Sequence, residues 1–341
     1  MRRSTRGSIC IEEGRARMTD KTPDTTASAP ASNPRRRYAL LTMLAGDRFA
    51  SAAACFLLLL LFFAIFGPAL IGGAEVRMNL GMRNAPPFSG ENGLPYLLGA
   101  DSLGRPILPR LMVAARTTLG ISIGVVFLAM CVGSALGIVA GYYGGRLGGA
   151  IMRGADLVMS FPSLLLAVIV LYVLEPFVFN VVIVLAITRI PVFIRVARAE
   201  VLEVKQRLFV EAARSIGAGD WRILRLHITP VVLPTLFTVA SLDLANVMLA
   251  ESSLSFLGIG VQPPGVTWGL MVADGRNFLT TAWWLSFWPG LAILLTALSA
   301  NLLSNWMRIA MDPKLRWRLE PEATRSSAIL RRLFPARSQA R

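Results

Sequence analysis

Three ionisable side chains stand inside long apolar runs of this chain: Arg189, Asp243 and Glu251. A charge in a bilayer core costs from ~3 kcal/mol upward, so such residues face protein, water or the membrane boundary, and they often mark an ion or proton path. Two acids in one run, Asp243 and Glu251, fit a proton-coupled transporter. A structural clasp fits them as well, and both readings stay open. Other chemistries lack their residues. The single histidine, His227, has no His or Cys nearby to share a metal. Cys10, Cys55 and Cys131 lie far apart, without a CxxC or disulfide framework. Lys21, Lys205 and Lys314 are the only lysines, and none closes a GxxxxGK[ST] phosphate loop. No paired-carboxylate, Ser-His-Asp or Cys-His arrangement is evident. The chain is therefore expected to bind no ATP, cofactor or metal itself.

A second stretch carries function of another kind. Residues 205–230, KQRLFVEAARSIGAGDWRILRLHITP, form the longest charged-and-small segment between two apolar runs. Strong helix formers fill Lys205 to Ile216. Gly217-Ala218-Gly219 breaks that helix, and Asp220 is a good N-cap for another starting at Trp221. Val210, Ala213, Ile216 and Gly217 fall at spacings of three and four, giving a small face. Arg207, Glu211 and Arg214 lie beside it. A small face next to a charged one suits docking into a groove of a partner, although an ordinary loop between spans has the same composition.

The elements that position these residues are membrane spans. Of 341 residues, 54% are hydrophobic and 16% charged, against roughly 25% charged in a soluble domain, and the mean hydropathy is +0.58. The net charge of +15 sits mainly in tails and loops beside apolar runs. It reads as the positive-inside bias and not as a nucleic-acid surface. Residues 1–48 form a basic tail with little expected structure, in which Arg35-Arg36-Arg37 holds the end in the cytoplasm. Met18 is a candidate start, and no cleavable signal is convincing.

Six spans are expected within a permease-like region 49–310, with 311–341 a second basic cytoplasmic tail. The first lies between Arg48 and Glu75, followed by an outer loop over 73–116 whose Arg105, Arg110 and Arg116 run against the charge bias. The second covers about 117–141. In it Gly133, Gly137 and Gly141 recur every fourth residue, a spacing that lets two membrane helices approach closely. An inner loop, GYYGGRLGGAIMRGAD, leads to a short third span near 157–174, and Glu175-Pro176 turns into a fourth over about 178–197. The fifth begins at Pro230, and residues 254–283 form an outer loop with a rigid, partly inserted segment around Pro263-Pro264 and Trp268. The last span lies between Arg276 and Arg308.

Several of these segments resemble one family. Glu211-Ala212-Ala213-x3-Gly217, followed by His227-Ile228-x-Pro230, resembles the EAA loop of ABC-importer permeases, with Thr229 and Val231 departing from the HILPN ending of the peptide and nickel group. LGADSLGRPILPRLMVAARTTLG resembles that group's pattern before the second span, with Pro106 and Pro109 where Asp and Ser are frequent. ESSLSFLGIGVQPPGVTWG, the WW-x4-PG motif at Trp283, Trp284, Pro289 and Gly290, and MDPKLR resemble the C-type subunit. The resemblance spans roughly residues 40–317. It implies an all-α fold, a type I importer permease of six transmembrane helices around a core of 117–310. It also implies a cytoplasmic coupling helix in which Glu211, Ala212, Ala213, Arg214, Gly217 and Asp220 meet an ATPase. It further implies a second related permease, two P-loop ATPases that use ATP and Mg, and a substrate-binding protein as partners, with no nucleic acid. Short peptides are the favoured cargo, nickel or another small solute the alternative. A proton-driven transporter through Asp243 and Glu251, and a membrane scaffold without transport, are the rivals from other classes.

Overall fold

The structure, a computed structural model, describes residues 43–71, 73, 77–88, 94–174 and 177–311. The expected tails before residue 43 and after 311, Glu75 and the Glu175-Pro176 turn lie outside these. With no water inside a bilayer to satisfy backbone N–H and C=O groups, an apolar chain crosses it as helix. Among the described residues ten α-helices have defined bounds, in order: α1 Arg48–Ile71, α2 Ile107–Tyr143, α3 Gly145–Met159, α4 Ser163–Leu174, α5 Val178–Val204, α6 Leu208–Ser215, α7 Asp220–Ile223, α8 Thr229–Phe256, α9 Trp268–Gly275 and α10 Trp284–Met311. Among the described residues five helical stretches are long and apolar enough to cross a membrane, or six if α3 and α4, bent by 84° at their break, count as one span.

Element boundaries differ from those the sequence suggests, for physical reasons. α2 has 37 residues, about 55 Å at ~1.5 Å per residue. That exceeds a ~30 Å hydrocarbon layer, so its first turns belong to the region expected to be outer loop. Pro109 falls in its first turn, where the missing N–H has no helical partner to lose. The segment after α2, expected as an inner loop, is helix α3, which turns off α2 at Gly144, φ +63°. The chain breaks at Ser160-Phe161-Pro162, so residues 157–159, expected at the start of the third span, end α3, and α4 begins at Ser163. α5 runs on past residue 197 to Val204.

Two of the three arginines in the expected outer loop, Arg105 and Arg110, find local partners. Asp101 Oδ1 accepts the backbone N–H groups of Leu103 and Arg105, each at 2.8 Å. Its Oδ2 accepts Arg105 Nε at 2.7 Å and also Arg110 Nη1. Asp274 Oδ2 lies 3.7 Å from Arg110 Nη2. Arg110 is therefore buried but not alone, and only Arg116 of the three is exposed.

α2 and α5 form the tightest helix pair. A Cβ on Gly133 would lie 2.6 Å from Phe193 Cβ, one on Gly137 2.5 Å from the Ile194 carbonyl oxygen, and one on Gly141 2.8 Å from Val201 Cβ. The three glycines thus face one neighbour along three turns. Gly120, in the same helix, has nothing within 4 Å of its would-be Cβ. Gly137→Ala should therefore cost about 1–3 kcal/mol by overpacking, whereas Gly120→Ala should be neutral or slightly stabilising, glycine being the poorer helix former. Thermal unfolding of the two purified variants in detergent checks this, and equal midpoints would contradict the packing described.

Candidate functional site

Residues 205–230 fold as two short helices and a turn, with limits set by their own chemistry. Lys205 caps α5, so the first helix begins at Leu208 and not at Lys205. It ends in a two-bond C-terminal motif: Ala218 N–H donates to Ala213 O at 3.0 Å and Gly217 N–H to Arg214 O at 2.9 Å. That motif puts its C′ residue in the left-handed region. Gly217 occupies it, at φ +81°. This gives the glycine of the EAA-x3-G motif a backbone reason. The second helix, α7, is one turn, continued by a π-helical turn over Leu224–Ile228. Pro230 has no N–H to donate, and the Thr229 hydroxyl donates instead to Leu224 O at 2.8 Å. Thr229, a departure from the family ending, thus closes the turn at the foot of α8.

The face that packs differs from the one spacing suggests. Val210 and Ala213 are buried in the main apolar cluster, together with Ile223 and Ile228. Ile216 is 85% exposed and Gly217 is also exposed, because the helix has ended there and the chain has turned away. The outward side carries Leu208, Glu211, Ala212, Arg214, Ile216 and Trp221. Asp220 does not cap the second helix. Gly219 holds the N-cap position, and Asp220 Oδ1 accepts a hydrogen bond from Tyr142 Oη at 2.5 Å.

Tyr142, the penultimate residue of α2, gathers further contacts. Lys205 Nζ donates to the Tyr142 carbonyl at 2.5 Å and lies 5.2 Å from the ring centre. The Arg214 guanidinium carbon lies 5.5 Å from the same ring. Sequence reading misses Tyr142, whose partners are 63 to 78 residues away. Its one signal is its place right after the last glycine of the helix-packing series.

The membrane-embedded charges separate into two sites. Arg189 Nη1 on α5 lies 3.5 Å from Asp243 Oδ1 on α8. Asp243 Oδ2 is buried without a hydrogen-bond partner, while the Arg189 side chain is 22% exposed. Glu251 is fully buried elsewhere on α8 and heads a hydroxyl chain. Leu270 N–H donates to Thr267 Oγ1 at 3.2 Å, Thr267 Oγ1 donates to Ser255 Oγ at 3.3 Å, and Ser255 Oγ donates to Glu251 Oε1 at 2.8 Å. Thr267 caps α9, the inserted helix inside the expected outer loop. Trp268 then pins α9 to α2, its N–H donating to Thr118 Oγ1 at 3.1 Å and its indole to Leu111 O at 3.0 Å. Gly269 permits the approach, since a Cβ there would meet Ser252 Cα at 2.6 Å. Thr118 and Thr267 give no sequence signal beyond being hydroxyls near apolar runs. Among the described residues no group of three or more His, Cys, Asp or Glu could hold a metal.

This arrangement makes Glu251 an acceptor that anchors α9. Glu251→Gln, which keeps an acceptor oxygen, should leave thermal stability near that of the parent. Glu251→Leu leaves buried hydroxyls unpaired and should cost about 1–3 kcal/mol. Limited proteolysis across 258–267 with thermal unfolding checks this, and equal behaviour of the two variants would refute the anchor.

The family described as binding-protein-dependent transport system inner membrane component matches residues 133–317. The probable D,D-dipeptide transport system permease protein of Escherichia coli (strain K12) is 37% identical over 292 residues, covering 85% of this chain and 96% of that protein. The di/tripeptide transport system permease protein of Pseudomonas aeruginosa (strain UCBPP-PA14) is 37% identical over 295 residues, covering 85% and 97%. A solved chain of the methionine ABC transporter MetNI, inward facing, superposes with a TM-score of 0.49 at 16% identity, covering 63% of this chain and 99% of that one. With the family matched over residues 133–317 and these relatives matched along nearly their whole length, the chain belongs to the inner membrane components of binding-protein-dependent transport systems.

Proposed function

We propose that this chain is the C-type permease subunit of an ATP-driven importer of short peptides. It would work beside a second related permease, two P-loop ATPases and a substrate-binding protein, with both termini in the cytoplasm. ATP and Mg are used by the partner ATPases, and this subunit performs no catalysis. The observation that carries the reading is the two-sided segment 208–223. Val210, Ala213 and Ile223 anchor it to the bundle, while Leu208, Ile216 and Trp221 stand uncovered beside Glu211 and Arg214. Apolar side chains clustered with charges at the polar end of a membrane protein suit a protein partner. The peptide cargo rests on the relatives named for D,D-dipeptide and di/tripeptide transport. Nickel or another small solute remains the alternative cargo.

The proton-driven alternative is less well supported. Asp243 pairs with Arg189, and Glu251 belongs to the α9 anchor. Eight residues along one helix separate the two acids by about 12 Å, too far for direct proton exchange. Closure of the ATPases on ATP would instead move segment 208–223 and tilt the spans it grips, switching access as rigid bodies.

Co-expression with the neighbouring ATPases tests the docking surface. Glu211→Lys and Ile216→Asp should leave membrane insertion intact and lower ATPase co-purification and transport by about tenfold or more, the scale of ~1.4 kcal/mol. Normal transport by a well-expressed Glu211→Lys variant, or transport in proteoliposomes without any ATPase, would overturn the reading.

Arg189 and Asp243 are the candidates for the translocation path, since one carboxylate oxygen lacks a partner and the guanidinium is partly open. Glu251, enclosed as it is, fits the anchor better than the path. Asp243→Asn should reduce peptide uptake several-fold while ATPase co-purification holds. Unchanged uptake would remove the pair from the path.

A further inference from the structure

We infer that Tyr142 is the residue through which movement of the ATPase-facing segment reaches the membrane spans. The inference rests on the permease reading above. It concerns not where the ATPase docks but how docking is transmitted. The geometry is specific. Tyr142 is the penultimate residue of α2, and three separate elements meet its one side chain and carbonyl. Asp220 at the start of α7 accepts its hydroxyl at 2.5 Å. Arg214 near the end of α6 sits 5.5 Å from the ring centre. Lys205, just after α5, bonds its carbonyl at 2.5 Å and approaches the ring at 5.2 Å.

Both helices of the docking segment and the end of α5 therefore converge on one residue of α2. The ring is nearly enclosed, with Tyr142 only 3% exposed. One residue earlier, Gly141 locks α2 against Val201 of α5, with Gly137 and Gly133 continuing that contact. A push on α6 and α7 at Tyr142 is thus delivered to α2 and α5 together.

The apolar contacts of Val210, Ala213 and Ile223 also join the segment to the bundle. They are non-directional and permit sliding. The Tyr142 contacts differ because a hydrogen bond to a carboxylate has fixed length and angle, and two cations on one ring fix its plane. Asp220 and Arg214, which the resemblance implies meet the ATPase, also contact Tyr142. Tyr142 is a positioning residue that touches neither nucleotide nor cargo.

The test uses the assembled transporter: this chain with its partner permease, ATPases and binding protein, in proteoliposomes with a dipeptide. Tyr142→Phe removes the hydroxyl and keeps the ring for Arg214 and Lys205. Asp220→Asn keeps the acceptor and removes its charge, and Tyr142→Leu removes hydroxyl and ring. The readouts are ATPase co-purification, ATP hydrolysis, and dipeptide imported per ATP hydrolysed.

The expected result is unchanged co-purification in Tyr142→Phe and Tyr142→Leu. Dipeptide imported per ATP should fall about tenfold in Tyr142→Phe, the factor that a hydrogen bond to a charged group carries in an equilibrium. It should fall further in Tyr142→Leu and less in Asp220→Asn. A merely structural tyrosine would lower yield and thermal midpoint without changing the ratio in the protein that remains. A parent-like ratio in Tyr142→Phe and Tyr142→Leu overturns the inference, as does loss of co-purification in Tyr142→Phe, which would make the hydroxyl part of the docking surface. Failure of the unaltered chain to hold ATPases would sink the permease reading itself, and that control is read first.

Discussion

The close approach of α2 and α5 is the contact on which the rest of the structure depends. In a bilayer, lipid tails compete on equal terms with apolar side chains, so helices associate by tight packing and polar contacts, not by escape from water. Gly133, Gly137 and Gly141 supply that packing by having nothing where other residues have Cβ. The pair then fixes two further positions. On α5 it sets the height of Arg189, and hence its meeting with Asp243 on α8. At the end of α2 it sets Tyr142 beside the end of α5, where Lys205 reaches it. A bundle held by larger residues along this seam would separate α2 from α5 and move both polar contacts.

Polar groups inside the bundle fall into two kinds. The chain from Leu270 N–H through Thr267 and Ser255 to Glu251 runs donor to acceptor without a gap. Such a network rigidifies what it joins, and here it joins α9 to α8. Asp101 with Arg105 and Arg110 is similar at the start of α2, where one carboxylate organises a turn and neutralises a buried guanidinium. The Arg189–Asp243 pair differs: its contact is long at 3.5 Å, and one carboxylate oxygen is unused. An unsatisfied buried oxygen costs free energy in a closed site. Its presence in the pair that links α5 to α8 is what separates that pair, physically, from a completed clasp.

Much of this was legible in the sequence, and what was not has physical causes. Apolar runs and charge bias locate the spans, because a bilayer leaves the chain few options. The glycine series predicts a close contact but not its partner, which is α5. α3 looks like a loop because glycine disfavours helix by about 1 kcal/mol per residue. Packing overrides that preference at Gly148, where a Cβ would meet Ala140 O at 2.7 Å. Ile216 matches the spacing of Val210 and Ala213 yet points away, because spacing describes a helix only while the helix lasts, and this one ends at Ser215. Asp220 has the right type for an N-cap, but a tyrosine 78 residues away takes its carboxylate, a contact local rules cannot see.

The segment 205–230 shows how one short stretch serves two surfaces at once. Its inward residues are apolar and match the bundle, and its outward ones mix apolar and charged groups. A loop held only by its ends would absorb an external push by bending. This one cannot, because a C-terminal motif at Gly217 fixes the angle between α6 and α7. The π-helical turn at Leu224–Ile228 also runs without interruption into α8. A force applied at Leu208 or Ile216 therefore has two stiff exits. One passes through Tyr142 to α2 and α5, the other through the π-helical turn to α8. Arg189 belongs to the first group of helices and Asp243 to the second. A displacement unequal along the two exits would open or close that pair, which is how a push at one end of the bundle can alter a charged contact in its middle.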